Sequence, residues 1–290
     1  MGLPRPNPRF ESRFFNSARR TVVLLVEAGP DERFWRPWVA DDVLVRQANQ
    51  GGREQIIRWL KAAKPDEGEV LVGVVDADLD RVRGVENDTP GLILTDAHDL
   101  EATLVGLPAL NKLAKSLAGA ALAAAEARWG ETLRERLFRH AELPGRLRWL
   151  KVARSPAFDA LLFKKVKGNE VRYFDGYASC IGADCQPDPA ALVKALCNYS
   201  NAQQLLPPKI DLGAEAAQLG PAELDQLCNG HDLIGFLHAI LKEIKEQRLP
   251  DPAGLAQQLG LAVERVWLAE TAMWRALQVW SEQRGYPVLA

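Results

Sequence analysis

The sequence predicts an α/β fold: a small parallel sheet flanked by helices, followed by a mainly helical C-terminal portion. Three observations carry this. Two short Val/Leu-rich runs, TVVLLVE at 21–27 and EVLVGVV at 69–75, are bounded by Gly, Pro or acidic residues and read as fully buried strands. The segments between successive apolar runs are a dozen residues or more, long enough for crossover helices. Beyond Leu107 the texture changes to long Ala/Leu-rich helical stretches.

Taken in order, strand 21–27 leads into a helix near 31–39. VLVRQ at 43–47 is a short strand, and the helix near 53–63 keeps Ile56, Ile57, Leu60 and Ala63 at helical spacing. Strand 69–75 follows, then a polar loop and the apolar run GLILTD at 91–96. Residues 109–140 read as one long helix or two, with Gly119 or Gly130 as the break. A basic, partly β-like stretch spans 146–177, and helices are expected near 188–199, 221–228, 232–247 and 262–284, the last with Val266, Ala269, Met273, Ala276, Leu277 and Trp280 on its apolar face. The division expected from this pattern is a metal-binding core at 18–108 and a helical region at 109–290, with the Pro-containing 204–221 as the candidate linker. No internal repeat is visible.

A chain of 290 residues, 47% of them hydrophobic and 26% charged, can bury a sizeable core, so an ordinary globular protein is expected. No apolar run approaches the ~20 residues that span a bilayer. MGLPRPNPRF has no apolar stretch after its arginines and carries Pro6, which argues against a secretory signal and a myristoylation site. A cytoplasmic protein without membrane association is the expectation, and four cysteines in a chain this long are expected to be reduced thiols.

Net charge is −2, but it is segregated. From Asp66 to Glu101, eleven acidic residues stand against two arginines. From Leu143 to Arg172, eight Lys and Arg stand against Asp159 and Glu170, and the first twenty residues add five arginines against Glu11. Carboxylates suited to a cation and cations suited to phosphate, held apart on one chain, are what a metal-dependent phosphodiester enzyme needs. Solvated faces are the alternative for either run.

The carboxylates stand where strands end: Glu27 after the first, and Asp76, Asp78 and Asp80 after the third. The carboxyl ends of parallel strands are where α/β proteins bind ligands. Oxygen donors converging there would repel one another without a shared hard cation, for which Mg²⁺ is the natural occupant. Asp76, Asp78 and Asp80 share a side only if the chain stays extended past the strand. Phosphodiester cleavage needs charge neutralisation and a water made nucleophilic near neutral pH, and Glu27 is suited to move the proton. Lys164, Lys165 and Lys167 are candidates to hold the phosphate, and His98, between Asp96 and Asp99, is a candidate for substrate contact.

E-x-x-x-D-x-x-F at Glu27, Asp31 and Phe34, D-x-D at Asp76 and Asp78, TDAHDLEATL at 95–104 and CNGHDL at 228–233 together resemble a TOPRIM-like nuclease family long labelled as of unknown function. The family is related to the OLD nucleases and includes the nuclease subunit of the PARIS anti-phage system. The resemblance runs over roughly 20–285. It implies that Glu27 is the catalytic glutamate, that Asp76 and Asp78 are metal ligands, and that Asp31 and Glu101 serve a second metal, with Mg²⁺, or Mn²⁺ in its place, as cofactor. One departure is that Ala28 follows the glutamate where TOPRIM proteins usually place Gly, with Gly29 next. The resemblance further implies a toxic defence effector acting on DNA or tRNA. Its partner would be a separate AAA- or ABC-type ATPase, since no G-x-x-x-x-G-K-[ST] occurs here, and a homodimer is compatible with it.

Rival readings are weaker. An EF-hand fails on Arg81 and Asn87, where Gly and Glu are required. A D-x-D glycosyltransferase leaves Glu27 and Glu101 unexplained, and a non-catalytic TOPRIM-like module that docks on an ATPase or nucleic acid is the non-enzymatic alternative. Cys180, Cys185, Cys228 and His231 are too loosely spaced to expect zinc. Asp232 reads as the N-cap of a helix, with His231 packed beneath it in a structural role.

Overall fold

The structure, a computed structural model, describes residues 21–48, 51–63, 68–167, 170–206, 209–245 and 248–290, and the side chains of residues 167, 170 and 171 also lie outside the description. The arginine-rich first twenty residues are therefore outside it. Two compact units are present. The first comprises residues up to Val74 with Asp88–Ile93 and Ala276–Ala290, and the second comprises Val75–Asn87 and Leu94–Arg275.

The first unit holds a four-stranded, all-parallel sheet. β1 (Thr21–Val26), β2 (Val43–Gln47), β3 (Glu69–Val75) and β4 (Leu92–Leu94) lie in the order β2-β1-β3-β4. Val22 pairs with both Val43 and Val70, and the register runs on through Leu25. Residues Val22–Val26 are buried throughout, as the continuous apolar run requires of a strand covered on both faces. The strand order reverses between β1 and β3, and in open sheets ligands bind outside the carboxyl ends at such a reversal. Helices α1 (Gly29–Trp35) and α2 (Gly52–Ala62) supply the crossovers. α2 buries Ile56 and Leu60 so closely against β3 that a Cβ on Gly73 would stand 2.6 Å from Ile56 Cγ2, so that strand position admits no side chain. The run expected at 91–96 yields a strand of only three residues, after which the chain turns to serve other contacts.

The second unit is helical apart from one hairpin. A short α3 (Asp80–Arg83) and α4 (Leu100–Gly106) precede the long α5 (Ala109–Trp129) and α6 (Leu133–Ala153). Both glycines named as breaks are irregular: Gly119 has φ +35° inside α5, and Gly130 caps it with φ +70°. α6 runs on to Ala153, so the first part of the basic stretch is helix, and only β5 (Lys164–Lys167) and β6 (Glu170–Tyr173) form the expected β structure, as an antiparallel pair. Then come α7 (Pro189–Ser200), α8 (Leu212–Ala217), α9 (Leu224–Leu227) and α10 (Gly230–Ile244). The candidate linker at 204–221 is not one: it contains α8, whose Leu212 and Ala216 are buried and whose Glu215 pairs with Arg154.

The single helix expected at 262–284 is two elements, α12 (Arg265–Leu268) and α13 (Ala272–Arg284), and they follow a helix that was not expected, α11 (Pro252–Ala262). Val263 and Glu264 are extended, which separates α11 from α12. All four cysteines are buried, free thiols. Among the described residues no helix is long and apolar enough to cross a membrane.

Candidate functional site

Glu27 and Asp31 belong to the first unit. Glu27 directly follows β1, and its Oε2 accepts the Arg53 N–H (3.1 Å) at the start of α2, where the helix end favours a negative charge. Gly52 just before it has φ +44°, and a Cβ there would stand 3.2 Å from the same oxygen. Ala28 has φ −140° and ψ 172°, extended backbone that needs no glycine, so the departure from Glu-Gly is accommodated without strain. Asp31 Oδ2 accepts the Ala28 N–H at 2.9 Å and closes the first turn of α1.

The other candidates lie in the second unit. Asp76 Oδ1 accepts the Leu100 N–H at 3.2 Å, which sets the carboxylate beside the residue preceding Glu101. Asp78 adopts φ +48°, a left-handed conformation that Asp tolerates, and its N–H donates to His98 O at 2.6 Å. The extension that would line up three aspartates therefore ends at Asp78. Asp80 is the first residue of α3, so the expected alignment with Asp76 and Asp78 along an extended chain is corrected: the alternation of a strand does not survive the turn.

The 95–104 segment is a mortise of side chain to backbone contacts. Thr95 Oγ1 accepts the Ala77 N–H and donates to Ala97 O, while Thr103 Oγ1 accepts the Ala97 N–H. Asp96 caps α13 by accepting the N–H groups of Ala272 and Met273. Asp99 is the N-cap of α4 through Ala102 N–H (2.8 Å) and binds Gly230 N–H at 2.7 Å. Burial would raise the Asp99 carboxyl, but its contacts with His98, Ala102 and Gly230 outweigh that and hold it below the usual range. His98 is 3% exposed, with its Nδ1 3.3 Å from Asp99 Oδ2. The expectation that His98 touches substrate is thus corrected: it is sealed in and braces Asp99.

The CNGHDL segment docks on this mortise. Asn229, not Asp232, caps α10, its side chain accepting the His231 N–H. Asp232 sits one turn further, fully buried, and its carboxylate takes both terminal nitrogens of Arg148 and the Tyr177 hydroxyl (2.8 Å). Burial would lower the Arg148 pKa, but Asp232 holds it above the usual value, while burial and Asp232 together push Tyr177 well above its own. Gly230 presses on the first turn of α4, where a Cβ would stand 2.4 Å from Glu101 Cβ.

His231, on the exposed side, meets Tyr173 of β6 with ring centroids 4.1 Å apart. Its imidazole pKa is lowered, first by burial and further by Arg148 and Lys164, against Asp99 and Asp232. The Tyr173 pKa is raised by burial and by the nearby carboxylates of Glu101 and Asp76.

The basic stretch does not form one cationic surface. Arg146 pairs with Glu142, Arg148 with Asp232 and Arg154 with Glu215, and Lys151 Nζ donates to Asp159 O and Leu161 O. Of the three lysines, Lys164 is opposite Tyr173 in the hairpin, whereas Lys165 lies over the Tyr199 ring at 4.6 Å. Adjacent strand residues face opposite ways, so Lys165 is turned from the side Lys164 shares with Tyr173. The Lys167 side chain lies outside the described residues. Tyr173 was missed in the sequence because nothing around it is periodic; only the strand register brings it to His231.

In this unit the oxygen donors that the resemblance assigns to a cation are Asp76, Asp78 and Glu101. Among the described residues no three His, Cys, Asp or Glu side chains are gathered as a preformed metal cage. The all-oxygen donor set still fits Mg²⁺, which keeps several waters and is commonly bound by one or two carboxylates together with substrate phosphate. No protein-family model matches the chain, and no curated protein matches it.

Proposed function

We propose that the protein is a Mg²⁺-dependent endonuclease of TOPRIM-like type, able to use Mn²⁺, that cleaves DNA or tRNA as the toxic effector of an anti-phage defence restrained by a partner ATPase. The observation that supports this reading is the interlocking of three segments distant in sequence: Asp76 on the Leu100 N–H, Glu101 under Gly230, and His231 against Tyr173. The first two contacts join the D-x-D, TDAHDLEATL and CNGHDL segments, three of the four that carry the resemblance, and the third adds the β5–β6 hairpin, so that carboxylates, an imidazole and a lysine share one neighbourhood.

In this reading Asp76, Asp78 and Glu101 hold the cation. When bound there, it supplies charge neutralisation at the scissile phosphate and a water of lowered pKa. Lys164 holds the nucleic-acid backbone by its charge, and the role of catalytic glutamate falls to Glu27 on the resemblance alone. Purified protein incubated with labelled plasmid and with total tRNA, in Mg²⁺, Mn²⁺ or EDTA, tests the proposal. Cleavage in either metal, lost in EDTA and lost in Glu27→Gln, is expected. Absence of metal-dependent cleavage of both substrates would refute it. A second reading is a TOPRIM-like module that docks on an ATPase or nucleic acid without cutting. Binding without cleavage would establish that reading.

A further inference from the structure

The β5–β6 hairpin has two faces with different employment. Lys165 rides on Tyr199, whose hydroxyl donates to Arg172 O, and these contacts tie one face to α7. The register pairs Lys164 with Tyr173, and directly paired residues share a face, so these two stand together on the other side. Tyr173 is 44% exposed although its ring is in contact with His231, so the ring is braced from one side and open elsewhere. The brace is itself anchored: His231 lies in the first turn of α10 behind its Asn229 cap, next to the pair of part-buried Arg148 with fully buried Asp232 and a glycine pressed on Glu101. A half-exposed aromatic ring held this firmly, with a lysine beside it and carboxylates behind it, has the makings of a nucleotide contact rather than of core packing.

Resting on the nuclease reading above, we infer that Tyr173 and Lys164 form the substrate-gripping face of the site, with the Tyr173 ring stacking on an unpaired base and Lys164 holding an adjoining phosphate. A base within a duplex has both faces covered by its neighbours and must be unstacked, at a cost of a few kcal/mol, before an aromatic side chain can reach one. The preferred substrate is therefore single-stranded or locally unpaired nucleic acid. Base-on-aromatic stacking corresponds to about 5- to 150-fold in affinity, enough to set that preference, whereas a lone phosphate contact acts on paired and unpaired substrates alike.

The test is fluorescence anisotropy with the full chain carrying Glu27→Gln, using one labelled oligonucleotide of mixed sequence as a single strand and as its duplex, in DNA and RNA forms. Tyr173→Ala and Tyr173→Leu should each weaken single-strand binding by about fivefold or more and leave duplex binding unchanged, while Tyr173→Phe retains the preference. The Leu variant keeps apolar bulk, so its loss separates stacking from packing. Lys164→Gln should weaken both forms and lower the salt slope by about one, and Lys165→Gln should change neither. An unchanged single-strand preference in Tyr173→Ala, or a parent that binds duplex as tightly as single strand, overturns the inference while the nuclease reading stands. A parent that binds no nucleic acid, and a wild type that cleaves none, overturn both.

Discussion

Two groups of carboxylates share the second unit and the same motif segments, yet they are used in opposite ways. Asp96, Asp99 and Asp232 are committed to fixed donors: a helix start for the first, a helix start and a second segment for the next, an arginine and a tyrosine hydroxyl for the last. Asp76 and Glu101 stand in the same interlock but lie close to the half-exposed Tyr173, on the side where Lys164 is found. Composition does not separate the groups. What separates them is surroundings: Asp99 and Asp232 are buried among two or more donors each, whereas Asp76, bonded to the Leu100 N–H, and Glu101 are part-exposed and lie near the half-exposed Tyr173.

The comparison breaks first at the anchors. Asp232→Ala removes a fully buried carboxylate and leaves the part-buried Arg148 unpaired, and should cost roughly 3 kcal/mol in denaturant unfolding. A loss below about 1 kcal/mol would mean that the pair is not an anchor.

Acid should act next, through His140. Its ring is 2% exposed, its Nε2 lies 2.9 Å from Cys185 O, and burial lowers its pKa to about 4. Because that lies below the unfolded value, the unfolded chain binds the proton first. Stability is full above about pH 6.5 and falls as the pH drops toward 4, by roughly 3 kcal/mol in total. His140→Gln should flatten that limb in unfolding measured against pH; an unchanged slope would assign it to other groups.

Smaller still is Asp99→Ala, which strips the N-cap of α4 and leaves the Gly230 N–H without its acceptor. The expected cost is about 1–3 kcal/mol by thermal or denaturant unfolding. Lys165→Gln removes only a half-exposed contact with an aromatic ring and should change stability by at most about 1 kcal/mol.

The strands were legible because a doubly covered strand needs a continuous apolar run: 43–47 and 69–75 match β2 and β3 end for end, and 21–27 overshoots β1 by one residue. The helix break was legible in Gly130. Less was legible in the site. Asp99 before Leu100 carried an N-cap signal that stands alone, with no apolar period of its own around it, and His98 looked reactive only because burial cannot be read from one position. The turn that removes Asp80 from its neighbours depends on Asp78 adopting φ +48°, a tertiary choice. The three lysines looked equivalent until strand register sent Lys164 and Lys165 to opposite faces. The split of the expected last helix follows from Asp96, far away in sequence, capping α13 at Ala272.

The most direct test of the division between anchors and chemistry is Asp76→Asn, which keeps an acceptor for the Leu100 N–H while removing the charge. Metal-dependent cleavage and the unfolding midpoint should be measured on the same preparation. The account predicts that cleavage is abolished while stability stays within about 0.5 kcal/mol of wild type. Cleavage at the wild-type rate, or a destabilisation as large as that of Asp232→Ala, would contradict it.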